Sequence, residues 1–178
     1  MRRTILGILI AISFAIPAAA QRLNLDVPNL GDHATEVVDV TLDGPMLRLA
    51  GKFLSADDRE ERAVRDMVQK LDGIYVRSYT FDKDWEYDRT IVDRMRAQLG
   101  AGWSKIVNVR GTRENVEIYT QSRGNQITGL FIISAERREL TLVNILGPID
   151  LDRLASIEGE FGIPKIHHGK KDDDDDND

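Results

Sequence analysis

The sequence contains no cysteine. Disulfides, thiolate metal sites and cysteine nucleophiles are thereby excluded, and the fold must be held together by its hydrophobic core. Histidine is nearly as scarce. His33, His167 and His168 are the full set, and all three fall outside the segments patterned as strand or helix. A general base oriented by a neighbour inside a cleft is hard to build there. No G-x-S-x-G, H-E-x-x-H, P-loop or G-x-G-x-x-G occurs. No stretch concentrates Lys and Arg as a phosphate backbone requires, so nucleic acid is not expected as a partner.

What is present begins with an export signal. Arg2 and Arg3 form a positive start, Ile5 to Ile16 an apolar run, and Ala18-Ala19-Ala20 a small-residue cleavage site. The run is shorter than the roughly 20 residues that span a bilayer. Residues 1–20 therefore read as a signal peptide, with a mature chain from Gln21 and no transmembrane segment after cleavage. The expected destination is the periplasm or cell envelope. The formal charge is −6, and six of the last seven residues are Asp. Residues 164–178 are thus expected as a disordered acidic tail.

Between these ends the patterns alternate. Residues 21–35 read as a flexible lead-in. "EVVDVTLDG" has the period of two of a half-buried strand, and Gly44-Pro45 opens a short helix with Leu47, Ala50 and Leu54 on one face. Ser55 and Asp58 are spaced as a capping box for an amphipathic helix over 56–71. "GIYVRSYTF" is a strand rich in β-branched and aromatic residues. Asp84 is expected to cap a helix whose Tyr87, Ile91, Val92, Met95 and Leu99 form one stripe. Four strands follow, over 104–110, 114–122, 126–134 and 139–146, with connectors short enough to require hairpins. Gly147-Pro148 is expected to break the last ladder, and Asp150 to cap a final helix with Ile149 packed on Leu154. Asn144 is left over, a polar side chain in the most apolar strand, whose hydrogen bond must be found elsewhere.

This order reads as a single α+β domain over 36–163. Its sheet is mostly antiparallel, with five to six strands and a late four-strand meander, and its helices pack on one face.

Four groups of residues invite chemistry. Asp57, Asp58, Glu60 and Glu61 resemble paired carboxylates, but acids in a first helical turn are explained by the helix dipole. His167 and His168 with Asp172 and Asp174 could chelate a divalent cation, but an acidic run without a rigid frame binds cations weakly, which favours a solvated solubility tail. Tyr75, Tyr79, Phe81 and Trp85 could line a ligand or partner surface. Aromatics commonly dominate cores, which favours packing; exposed, they would be where a partner docks. The fourth is the run "LTLVNILGPIDLDRLASI", best explained as a strand-to-helix corner.

That run, together with "EVVDVTLDGPMLRLAGKF" and "VQKLDGIYVRSYTFD", resembles the DUF4252 family of small exported bacterial proteins over about residues 35–160. The resemblance implies an envelope or periplasmic protein. It assigns no catalytic residue, and this chain departs from the family's lipoproteins by lacking their cysteine. An association with extracytoplasmic sigma-factor systems is also implied.

The resulting expectation is a non-catalytic exported protein that binds a protein or envelope component, without cofactor, in an envelope-stress setting. An exposed edge in the meander would allow a homodimer by strand pairing. Two other readings stand beside it: a hydrolase-like enzyme with an unrecognised site, and a small-ligand or cation-binding protein.

Overall fold

The computed structural model describes residues 22–54, 57 and 59–150. They form a six-stranded antiparallel sheet, β1 Glu36–Asp43, β2 Gly73–Thr80, β3 Trp103–Arg110, β4 Glu114–Arg123, β5 Gln126–Glu136 and β6 Glu139–Ile149, in the order β1-β2-β6-β5-β4-β3. Three helices accompany it, α1 Gly44–Ala50, α2 Arg59–Val68 and α3 Thr90–Ala97. The α+β class and the meander β3 to β6 are as expected, and β2 completes the sheet by pairing with the meander's last strand.

The period of two places different cores on the two faces. On one, Tyr79, Leu140, Leu142, Phe131, Ile133, Ala135 and Tyr119 meet Ile91, Val92 and Met95 of α3. On the other, Leu130, Ile149, Ile74 and Ile145 meet Leu47 of α1, Val68 of α2 and Leu71. Strands in the middle of such a sheet need apolar residues on both sides, which is why β5 and β6 read as nearly continuous apolar runs. The single helical layer expected from the sequence is accordingly divided: α3 on one face, α1 and α2 against the other.

Local chemistry explains the helix starts. Asp43 accepts the Met46 N–H at 3.0 Å, with Pro45 in the first turn of α1, as Gly44-Pro45 implied. Ser55 and Asp58, expected to cap the next helix, lie outside the described residues, as do the signal, the acidic tail and the helix expected after Asp150.

Three expectations are corrected. Asp84 does not cap α3. It accepts from Arg138 Nε at 2.8 Å and Arg137 Nη1 at 3.2 Å, anchoring the loop before α3 to the β5–β6 turn. The same loop donates Phe81 N–H to Arg138 O and Trp85 N–H to Arg137 O. Asp88 opens the helix instead, accepting from both the backbone N–H and hydroxyl of Thr90.

Gly147-Pro148 does not end β6. The register steps from Gly129↔Leu146 to Ile127↔Ile149, one residue of β5 (Thr128) opposite two of β6 (Gly147 and Pro148), so the pair forms a bulge. Gly147 has φ 120°, and a Cβ there would lie 2.7 Å from Asp72 N. Only glycine fits such a position without strain, and a bulge is one of the few places a sheet accepts proline.

The third correction concerns the lead-in. Leu23, Leu25, Val27 and Leu30 are buried in the core beneath α3. Leu23 N–H donates to Asn144 Oδ1 at 3.1 Å, and Val27 N–H to the Tyr79 hydroxyl at 3.3 Å. The Gln98 side chain grips the Asn24 backbone with two bonds of 2.9 Å, its Oε1 accepting from Asn24 N–H and its Nε2 donating to Asn24 O. Residues 22–30 are thus an extended cover on the sheet, and part of the domain.

Candidate functional site

The four aromatics singled out from the sequence do not form one surface. Tyr79 and Phe81 are each only 2% exposed, with Phe81 stacked on Tyr87 at 5.3 Å between ring centroids. Alternation along β2 put the face of Tyr75 and Tyr79 inside because the packed cover, unrecognised in the sequence, closes over it. Tyr75 and Trp85 stay half-buried but serve different surroundings. Arg22 stacks over Tyr75 at 4.2 Å, and Arg89 over Trp85 at 4.7 Å. His167, His168, Asp172 and Asp174 lie outside the described residues.

Tyr75 belongs to a cleft of about 400 Å³ between the packed cover and the sheet's β1 edge. Its walls are mixed in charge: Arg22 and Asp26 from the cover, Asp39 and Thr41 from β1, Arg77 from β2. Arg77 bridges two of them, with Nη1 at 2.7 Å from Asp39 and Nη2 at 3.3 Å from Asp26. The ion pairs tie cover to edge strand, and at this exposure each adds little stability. Their effect is to leave donors and acceptors side by side along β1.

β1 pairs with β2 over eight residues without a shift, and on its other side no described strand pairs with it. Val37 and Val38, 43% and 39% exposed, present apolar side chains to either side of this outer strand. The opposite outer strand differs. β3 is interrupted between Lys105 and Val107, which leaves Ile106 unpaired, and a bulge of this kind blunts an edge against further pairing.

A second cluster sits where α3 meets β3 and β4. Glu117 is fully buried, a position carboxylates rarely occupy unpaired. Arg96 grips both its oxygens, Nε at 2.8 Å and Nη2 at 3.2 Å; Lys105 Nζ lies at 3.2 Å and the Tyr119 hydroxyl donates at 2.6 Å. Burial pushes the Glu117 pKa up, but hydrogen bonds from Tyr119, Arg96 and Lys105 outweigh it, and the carboxyl titrates at about 2. Burial, then the bond to Glu117, raises Tyr119 above its ordinary range. A carboxylate so saturated is a poor proton donor at neutral pH. Its chemistry is to fix the guanidinium of Arg96, which Asp93 also grips on the helix's own surface. Alternation in β4 puts Glu117 on the opposite face from Ile118, and no local pattern marks that face as covered; the packing of α3 closes it.

A family model described as "Domain of unknown function (DUF4252)" matches residues 32–157, and the chain belongs to that family. No curated protein and no solved structure matches the chain.

Proposed function

We propose that this DUF4252 protein is a non-catalytic exported protein of the periplasm or cell envelope that binds a protein partner. The partner is received as an extended segment along β1, and envelope-stress regulation is the setting suggested by the family resemblance. The observation that carries the reading is the unbroken outer strand β1, with Val37 and Val38 exposed beside a cleft that offers both charges. Strand addition draws affinity from main-chain hydrogen bonds and selectivity from alternate side chains, and this edge supplies both. The signal-like N-terminus supports an extracytoplasmic place for such binding.

The test is capture from the native cell envelope, with wild-type protein and a Val37→Lys, Val38→Lys variant as baits. Lysines on an edge strand oppose further pairing and, at exposed positions, leave the fold intact. A partner retained by wild type and reduced at least tenfold by the variant is expected. Self-association lost in the same variant would make the partner a second copy of the chain. Equal capture by both baits, with no self-association, would refute the reading.

A further inference from the structure

At the opposite side of the sheet from β1, a cavity of about 250 Å³ is lined by Arg89, Arg96, Arg110, Gly111 and Asn115. Its arginines come from three elements or junctions: the start of α3, its last turn, and the end of β3. Each guanidinium stands differently. Arg96 is held by Glu117 through Nε and Nη2 and by Asp93 through Nη1, which leaves one N–H on each terminal nitrogen for a further acceptor. Arg89 lies on the Trp85 ring, a contact that orients it without neutralising it. Among the described residues no carboxylate forms an ion pair with Arg89 or Arg110. Asn115, paired with Arg110 in the ladder, has a buried side-chain oxygen with no hydrogen-bond partner. An amide can be turned by half a rotation at little cost, which would put N–H groups in that place.

From this arrangement we propose that the cavity is a binding site for a phosphate-type oxyanion, carried either by a small phosphate ester or by a lipid headgroup. Arg96 is compensated by its two carboxylates, but Arg89 and Arg110 add two uncompensated like charges beside one small space, an arrangement that favours entry of an anion. Guanidinium forks match the geometry of phosphate oxygens, and two orienting contacts, Glu117 on Arg96 and Trp85 on Arg89, hold the forks in advance of the ligand. A carboxylate offers two oxygens, fewer than three guanidiniums and an amide can serve. The volume lies below the roughly 300–1,000 Å³ of pockets for drug-sized molecules and suits a single head group. The site is separate from the β1 edge, and its failure would leave the strand-addition reading untouched.

The experiment uses protein purified from expression of the full 178-residue sequence. Inorganic phosphate, glycerol 3-phosphate and acetate are titrated calorimetrically at matched ionic strength. Vesicles of phosphatidylglycerol and of phosphatidylcholine are tested by co-sedimentation. The variants are Arg89→Gln with Arg110→Gln, both exposed positions, and Arg123→Gln as a control remote from the cavity. Circular dichroism verifies that the double variant remains folded. Phosphate or its ester is expected to bind at least tenfold more tightly than acetate, with a tenfold loss in the double variant and none in the control. Binding to phosphatidylglycerol vesicles that depends on the same two arginines assigns the site to a lipid headgroup, whereas binding of the soluble probes alone assigns it to a small ester. Binding of no probe, or binding that the folded double variant retains, overturns the proposal.

Discussion

Asn144, fully buried in the middle of β6, accepts the backbone N–H of Leu23 across 121 positions of sequence, while its own Nδ2 donates to Leu130 O at 3.3 Å. The one fully buried polar side chain of β6 is therefore the fastening point of the N-terminal cover. Replacing it with leucine leaves both the Leu23 N–H and the Leu130 carbonyl buried without that partner. Leaving such groups unsatisfied costs about 2–3 kcal/mol. Denaturant unfolding of Asn144→Leu should register that loss, and hydrogen exchange should show Leu23 and Leu25 amides losing protection before the sheet does. Unchanged protection would mean that the cover is held by its leucines alone.

Removal of the cover itself should be more severe. Leu23, Leu25, Val27 and Leu30 are all buried, and each such side chain contributes up to roughly 1.5–3 kcal/mol by burial. Deletion of residues 22–30 would also uncover Tyr79, Leu142 and Phe131 beside α3. The expected result is a chain that aggregates or binds a hydrophobic dye, compared with wild type by light scattering and dye fluorescence.

Gly147→Ala tests the bulge. An added Cβ would meet the backbone of Leu71 and Asp72 at 2.7–2.8 Å, in a conformation with φ 120°. Backbone cannot yield as a side-chain tip can, so a loss of about 3 kcal/mol is expected, at the upper end of the cost of strained backbone. Thermal unfolding would measure it, with Gly124→Ala as a comparison. That turn glycine also has φ 59°, but its added Cβ would meet nothing within 4 Å, so a smaller loss is expected.

Glu117 makes stability depend on pH in a defined window. Its carboxyl titrates at about 2 in the folded chain against an ordinary 4.5. A depressed folded pKa contributes stability that is complete above the ordinary value and is lost as pH falls from about 4.5 through about 2. Glu117→Gln should therefore destabilise the protein at pH 7, by roughly 3 kcal/mol, the low end for a broken buried pair because Arg96 and Lys105 retain access to water. The difference from wild type should shrink steadily below pH 4.5. Urea midpoints measured from pH 7 to pH 3 check both statements, and a constant difference would contradict them.

Much of the fold was legible because local periodicity survives in the final structure. The alternation of β1, the glycine and aspartate stops, and the short connectors of the meander all report on neighbours close in sequence. The cover carries a short local signal too, since Leu23, Leu25 and Val27 alternate with Asn24 and Asp26, the period of a covered extended segment. Asp84 misled because aspartate serves a helix start and an arginine turn equally well, and the competing arginines, Arg137 and Arg138, lie more than fifty residues away. The candidate aromatics divided for the same reason. Which face of β2 is interior depended on a segment that returns to it from the other end of the domain.

The sequence by itself determined the family, the α+β class, the hairpin order of the last four strands and the absence of thiol chemistry, since composition and short-range pattern suffice for these. Tertiary structure alone decided the rest. It seated Asn144 against Leu23 and drew Glu117 inside among its three donors. It also brought Arg89, Arg96 and Arg110 to one cavity although no run of the sequence concentrates them. A basic cluster can be read from sequence only when its charges are contiguous or periodic, whereas pairing β3 with β4 beneath α3 gathers arginines from more than twenty residues of chain into one small space.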